Sequence, residues 1–285
     1  MRPVIIFAVA CLQALLANAA FVAAQPLPVA EPESLGLSAQ PLGNISKVFD
    51  THIRERKLPG AVFMIARDGR LAYSEAIGFR DPVQHKPMTQ DAAFRIYSMS
   101  KPLVSVAAMM LVEDGVLQLT DPVSKFLPSL KNLRVSVANM DAELAKTTYK
   151  LVPAQREMTV HDLLRHSAGL VYGEISNNVP VKESYAKGRL VRATRNFDIR
   201  DLTPLTPMQQ IAAISREPLA HKPRTVWEYS LASDLLSRIV EAASGQRLGE
   251  FLERRLFAPL RMVESDFWVE REDLGRVAEP LPTET

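Results

Sequence analysis

The sequence predicts an α+β domain on three observations. A β-hairpin signal lies near the N-terminus, the chain beyond it turns mostly helical, and 285 residues of 47% hydrophobic and 23% charged composition can bury a sizeable core. Charge narrows the function classes. Lys and Arg number 34 against 32 Asp and Glu, and no dense basic cluster interleaved with aromatics occurs, so a nucleic-acid partner is not expected.

The N-terminal stretch reads as a targeting segment. Arg2 precedes an apolar run from Val4 to Leu16, followed by the small-residue stretches Ala17-Asn18-Ala19 and Val22-Ala23-Ala24. That order predicts a secretory signal over residues 1–24, a mature domain over 25–285, and an exported protein, periplasmic or secreted. An uncleaved membrane anchor is the alternative, since Val4 to Ala24 is about long enough to cross a bilayer; Gln13 and Asn18 count against it. No later segment has the length to span a membrane. The single cysteine, Cys11, falls inside this segment, which leaves the mature domain without a disulfide framework, a Cys metal site or a Cys nucleophile.

Residues 25–43, rich in Pro and small side chains, read as an extended lead-in. Ile45, Val48, Phe49 and Ile53 then keep helical spacing, and Leu58-Pro59-Gly60 stops that helix. Two apolar runs, 61–66 and 71–77, flank Asp68-Gly69 and form the hairpin signal. Pro102 opens the apolar helix that Gly115 closes. Asp121-Pro122 opens a short helix ending near Pro128. Thr159 with Asp162, and Thr206 before Pro207, cap two more helices. Ala232, Leu235, Leu236, Ile239, Val240 and Ala243 make a stripe closed by Gly245, and Leu248, Phe251, Leu252 and Leu256 make another before Pro259. The stretches 129–157 and 170–205 lack periodicity and read as loop-like insertions.

Chemistry concentrates at "FRIYSMSKP". Ser98 and Lys101 are three residues apart at the entry to an apolar helix, so hydroxyl and amine share a face, and free backbone N–H groups at that end suit an oxyanion. For the lysine to activate the serine it must be neutral, which burial in the apolar run would favour. Alone, S-x-x-K is a weak signal and a solvated helix start is the ordinary reading. Tyr229 supplies a partner: it precedes a capped helix, where a phenol beside a protonated lysine can act as a phenolate or proton shuttle.

Four stretches in this order, "FRIYSMSKP", "MTVHDLLRHSAGL", "PRTVWEYSLASDLLSRIVEAASG" and "FLERRLFAPLRM", resemble the class C β-lactamase-like serine hydrolases, particularly their carboxylesterase branch, over about residues 35–270. The resemblance implies a β-lactamase/transpeptidase-like fold, an antiparallel sheet plus a helical subdomain with the site in the groove between them. It implies Ser98 as acylated nucleophile, Lys101 as its proton acceptor, and Tyr229 as base for acylation and deacylation. The Ser98 backbone N–H would form half of the oxyanion hole.

Three departures qualify the transfer. Tyr229-Ser230-Leu231 stands where β-lactamases of this type carry Tyr-x-Asn, which tilts the expected substrate toward small carboxylic esters. Pro223-Arg224-Thr225 stands where Pro-Gly-Thr is usual and implies a different turn. The third family motif, a Lys/His-Thr-Gly type strand edge after the tyrosine, is missing, so the C-terminal strands are expected to be absent and the sheet to hold one hairpin and little else.

The expected activity is ester hydrolysis on a small-molecule ester or amide substrate. A β-lactamase or D-amino-acid peptidase with the same acylation chemistry is the alternative, and a truncated, inactive ligand-binding remnant is a third reading. His161 and His166 are five apart and no HExxH occurs, so no metal is expected; G-x-S-x-G and G-x-G-x-x-G are both missing and no cofactor is expected. His166 reads as a turn residue, and Trp227 and Trp268 as core.

Overall fold

The computed structural model describes residues 27–141, 146–188, 190 and 205–282, and the chain divides into two units. The expected signal segment and Cys11 lie outside the described residues.

The first unit takes in the described residues up to Phe94 with Pro259–Glu264 and Val269–Pro282. Its helix α1 (Ala39–Arg54) begins earlier than the lead-in reading allowed, and a 3₁₀ turn at Pro32–Leu35 precedes it. Pro41 does not block it because first-turn N–H groups have no intrahelical acceptor to lose. Strands β1 (Gly60–Arg67) and β2 (Arg70–Asp81) form the expected hairpin. Asp68 and Gly69 both adopt left-handed φ values, 51° and 70°, the conformation that matches the strand twist. The short β3 (Lys86–Pro87) pairs with β2, giving the order β1-β2-β3, and Phe49 of α1 meets Phe63 edge-on at 4.5 Å.

The second unit comprises Arg95–Ala258 and Ser265–Trp268 among described residues. A 3₁₀ turn at Tyr97–Met99 leads into α2 (Ser100–Glu113), which buries Val104, Ala107, Ala108 and Leu111. Gly115, at φ 72°, ends it as expected. The Asp121-Pro122 segment forms two 3₁₀ turns, Val123–Lys125 and Pro128–Leu130, in place of an α-helix.

The first stretch read as an insertion is instead a strand pair, β4 (Arg134–Asp141) with β5 (Lys146–Pro153). Its sequence hid this because the ribbon buries only Val135 and Ser136 near its base, while Met140 and Leu151 face solvent; no period-two pattern arises without a buried face. The second unit thus adds strands that the hairpin-only expectation missed.

Next come α3 (Val160–Leu164) and α4 (Val179–Lys187), the latter inside the second supposed insertion; most of 189–204 lies outside the described residues. Helix α4 commits only Val181 and Tyr185 to the core, too few to register as a stripe. Both anticipated caps form: Thr159 with Asp162 on α3, and Thr206 with Gln209 on α5 (Pro207–Ile214). Helix α6 (Ala232–Ser244) buries Ala232, Leu235, Leu236, Ile239 and Val240, packs against α2, and stops at Gly245. Helix α7 (Leu248–Leu252) runs on as a π-helical turn over Glu253–Phe257.

Candidate active site

Two packed helices fix the geometry. Lys101 lies in the first turn of α2 and Tyr229 just before α6, so the α2–α6 contact brings their ends together. Lys101 Nζ donates a hydrogen bond to Ser98 Oγ at 3.0 Å and stands 4.6 Å from the centre of the Tyr229 ring. Lys101 and Ser98 both act on the acidity of the Tyr229 phenol. All three residues singled out in the sequence therefore converge. Ser98 is in the 3₁₀ turn rather than in α2 itself, and Tyr97 before it holds φ 45°, a left-handed value that costs a tyrosine about 1–2 kcal/mol.

The loop bearing Tyr229 is tied to the turn after α3. Glu228 N–H donates to the His166 carbonyl at 2.9 Å, Ser230 N–H to His166 Nδ1 at 3.2 Å, and Arg224 N–H to the Ser167 carbonyl at 2.7 Å. His166 lies 5.0 Å from the Tyr229 ring centroid to centroid. Accepting from Ser230, Nδ1 carries no proton, which puts the proton of the neutral ring on Nε2. Gly169 makes the tie possible: a Cβ there would sit 2.1 Å from the His221 carbonyl oxygen, and its φ of 85° suits glycine. Arg224 corrects the expectation of a different turn, since at φ 74° it occupies the left-handed position that a glycine would favour.

Electrostatics overturn one expectation. Burial pulls the Lys101 amine down, but hydrogen bonds to Tyr229 and Tyr172 and the charge of those phenols more than offset it, so its pKa is raised and the amine stays an ammonium. A neutral lysine is thus not what this site holds. Burial raises Tyr229, yet hydrogen bonds from Lys101 and Ser98 outweigh that and lower its pKa. The loosened proton belongs to the phenol.

Tyr172 was missed in the sequence because it sits in a loop without periodicity. Its ring lies 5.6 Å from that of Tyr229, with Lys101 Nζ 5.8 Å from its centre. Burial, then Asp234, raises its pKa, so the two phenols near Lys101 differ in acidity. Asp234, in the first turn of α6, is itself pushed up by burial despite the nearby Lys101 charge and a 3.4 Å bond from Gln210. Burial, helped by Lys101, lowers His166 and keeps it neutral. The two tryptophans correct the core expectation: Trp227 is 69% and Trp268 60% exposed. Among the described residues no cluster of His, Cys, Asp and Glu suits a metal ion.

A hydroxyl, an ammonium and an acidified phenol converging at the entry to a buried helix are chemically equipped for acyl transfer through an oxygen nucleophile. The sequence matches the Beta-lactamase family over residues 45–282, and the chain belongs to that family. It is 32% identical over 238 residues to Esterase EstB of Burkholderia gladioli, covering 83% of this chain and 54% of that protein. Among solved structures it resembles EstCE1, a hydrolase with promiscuous acyltransferase activity, at 28% identity and TM-score 0.65, covering 86% of this chain and 59% of the other. Simvastatin synthase (LovD) from Aspergillus terreus matches at 25% identity and TM-score 0.63, covering 85% and 58%. The chain spans about half the length of the curated relatives it matches. These likenesses agree with the β-lactamase/transpeptidase-like fold expected from the motifs.

Proposed function

We propose that the protein is an exported serine hydrolase that cleaves small carboxylic esters through an acyl-enzyme on Ser98. The carrying observation is the convergence of Ser98, Lys101 and Tyr229, with the phenol acidified beside a charged lysine. Similarity to Esterase EstB and to the hydrolase EstCE1 supports the ester class. Leu231 supports it too: it is 7% exposed and apolar, so that position offers no amide to a β-lactam side chain. Export rests on the charge, apolar run and small residues of positions 1–24.

In this mechanism the Tyr229 phenolate takes the Ser98 hydroxyl proton as Oγ attacks the ester carbonyl. The Lys101 ammonium holds the phenolate and stabilises the charge that passes to the substrate. The Ser98 N–H contributes to the oxyanion site. Collapse of the tetrahedral species expels the alkoxide, which leaves as the alcohol with the proton from Tyr229. Water then gives its proton to Tyr229 and attacks the acyl carbonyl, and Ser98 recovers its proton as the acid leaves. A fluorophosphonate probe followed by peptide mass spectrometry tests the assignment. An adduct on Ser98 that is lost in Ser98→Ala is expected; its absence from the unaltered protein defeats the proposal. Rapid turnover of a chromogenic cephalosporin with no turnover of a nitrophenyl ester would instead favour the β-lactamase reading.

A further inference from the structure

Beside the Tyr229 loop the second unit contains a cavity of about 270 Å³ lined by Arg165, Ser167, Arg224, Thr225, Val226 and Trp227. Its lining is cationic and, Ser167 apart, exposed to solvent. Neither the Arg165 nor the Arg224 guanidinium has a hydrogen-bond or ion-pair partner among the described residues, and no carboxylate lines the wall. Ser167, 7% exposed, has a buried hydroxyl without a partner among the described residues.

The wall is also held in place at a cost. Arg224 keeps φ 74° while its N–H donates to the Ser167 carbonyl at 2.7 Å, so strain places this arginine in the wall beside Ser167. Trp227, the apolar face of the cavity, is 6.4 Å from the His166 ring, which in turn is 5.0 Å from Tyr229. The cavity is therefore two ring contacts from the proposed site.

We infer that this cavity is a carboxylate subsite: Arg165 and Arg224 take an organic carboxylate whose apolar body lies on Trp227, and the ester cleaved at Ser98 carries that second, free acid group. The inference rests on the ester-hydrolase reading and narrows its substrate class. Guanidinium forks match carboxylate geometry, and an aromatic face beside them suits the carbon skeleton of a half-ester better than a bare inorganic anion.

Binding and turnover are tested separately so that the two readings fail separately. In a Ser98→Ala, Trp268→Phe protein, Trp227 is the sole tryptophan and reports binding without acylation. Phenylacetate is expected to change its fluorescence saturably, benzyl alcohol is not, and Arg165→Gln or Arg224→Gln is expected to weaken phenylacetate about tenfold, some 1.4 kcal/mol. No saturable change, or an equal response to inorganic phosphate, overturns the subsite. With Ser98 present, the ratio of kcat/KM for the mono-nitrophenyl ester of dodecanedioic acid, long enough to pass the His166 and Trp227 rings, to that for nitrophenyl dodecanoate is expected to fall about tenfold in either arginine variant. An unchanged ratio overturns its role in substrate choice. Failure of both esters to acylate Ser98 overturns the hydrolase reading and leaves the binding result standing.

Discussion

Tyr229 and Lys101 divide the proton work in a way that their identities alone do not reveal. Adjacent burial and hydrogen bonding leave the amine charged and make the phenol the acidic partner. Tyr229→Phe keeps the ring and removes the base, so kcat is expected to fall about 10²–10⁴-fold, with the change in KM for a nitrophenyl ester much smaller. An equal loss in KM alone would assign the phenol to binding. Arg224 offers a second residue-scale check. Replacing a left-handed arginine by glycine removes about 1–2 kcal/mol of backbone strain but loosens the unfolded chain, so Arg224→Gly should stabilise by about 0.5–1 kcal/mol, read as a higher melting temperature. A lower one would show that the side chain contributes more than its conformation costs. Ser98, Lys101 and Tyr229 were legible because each opens or precedes an apolar stripe bounded by capping residues. Tyr172 and Asp234 were not, since their significance comes from a charge that the fold brings to them.

At the scale of elements, α2 and α6 decide whether the site exists. Ala107 and Ala108 of α2 have no exposed surface, and Ile239 of α6 is fully buried, so the helices meet closely and hold Lys101 and Tyr229 at their ends. Ile239→Ala should cost about 2–5 kcal/mol in denaturant unfolding. A change under about 0.5 kcal/mol would mean that this packing does not set stability. The α3 cap is equally built in: Asp162 is buried, accepts two bonds from Arg156 at 2.7 and 2.9 Å, and accepts the Thr159 N–H at 2.9 Å. Elements with a buried stripe and a cap, α2, α3, α5 and α6, could be read directly from the sequence. The β4–β5 ribbon and α4 could not, because a ribbon mostly in solvent and a helix anchored at two positions leave almost no hydrophobic period.

For the whole molecule, acid works against stability through His166 and Asp162 and in the opposite direction through Asp234, whose folded pKa burial raises. His166 has a folded pKa below its unfolded value of about 6.5, so below that pH the unfolded chain binds the extra proton and stability falls. Burial raises Asp162, but the Arg156 and Thr159 bonds more than reverse it; its contribution is therefore present above about pH 3.9 and is lost as pH drops through the lowered folded value. In Asp234→Asn, which removes the opposing group, melting temperature should decline from pH 7 toward 5 and more steeply below 4; a rise over the first interval in that variant would contradict the buried neutral histidine. The most direct test of the account concerns acylation itself, measured as the rate at which an activated nitrophenyl ester modifies Ser98 across pH 6 to 10.5. The account predicts a rate that climbs with pH to an apparent pKa below the ordinary tyrosine value of about 10, with that step lost in Tyr229→Phe. No modification of Ser98, or a step that persists without the phenol, would contradict it.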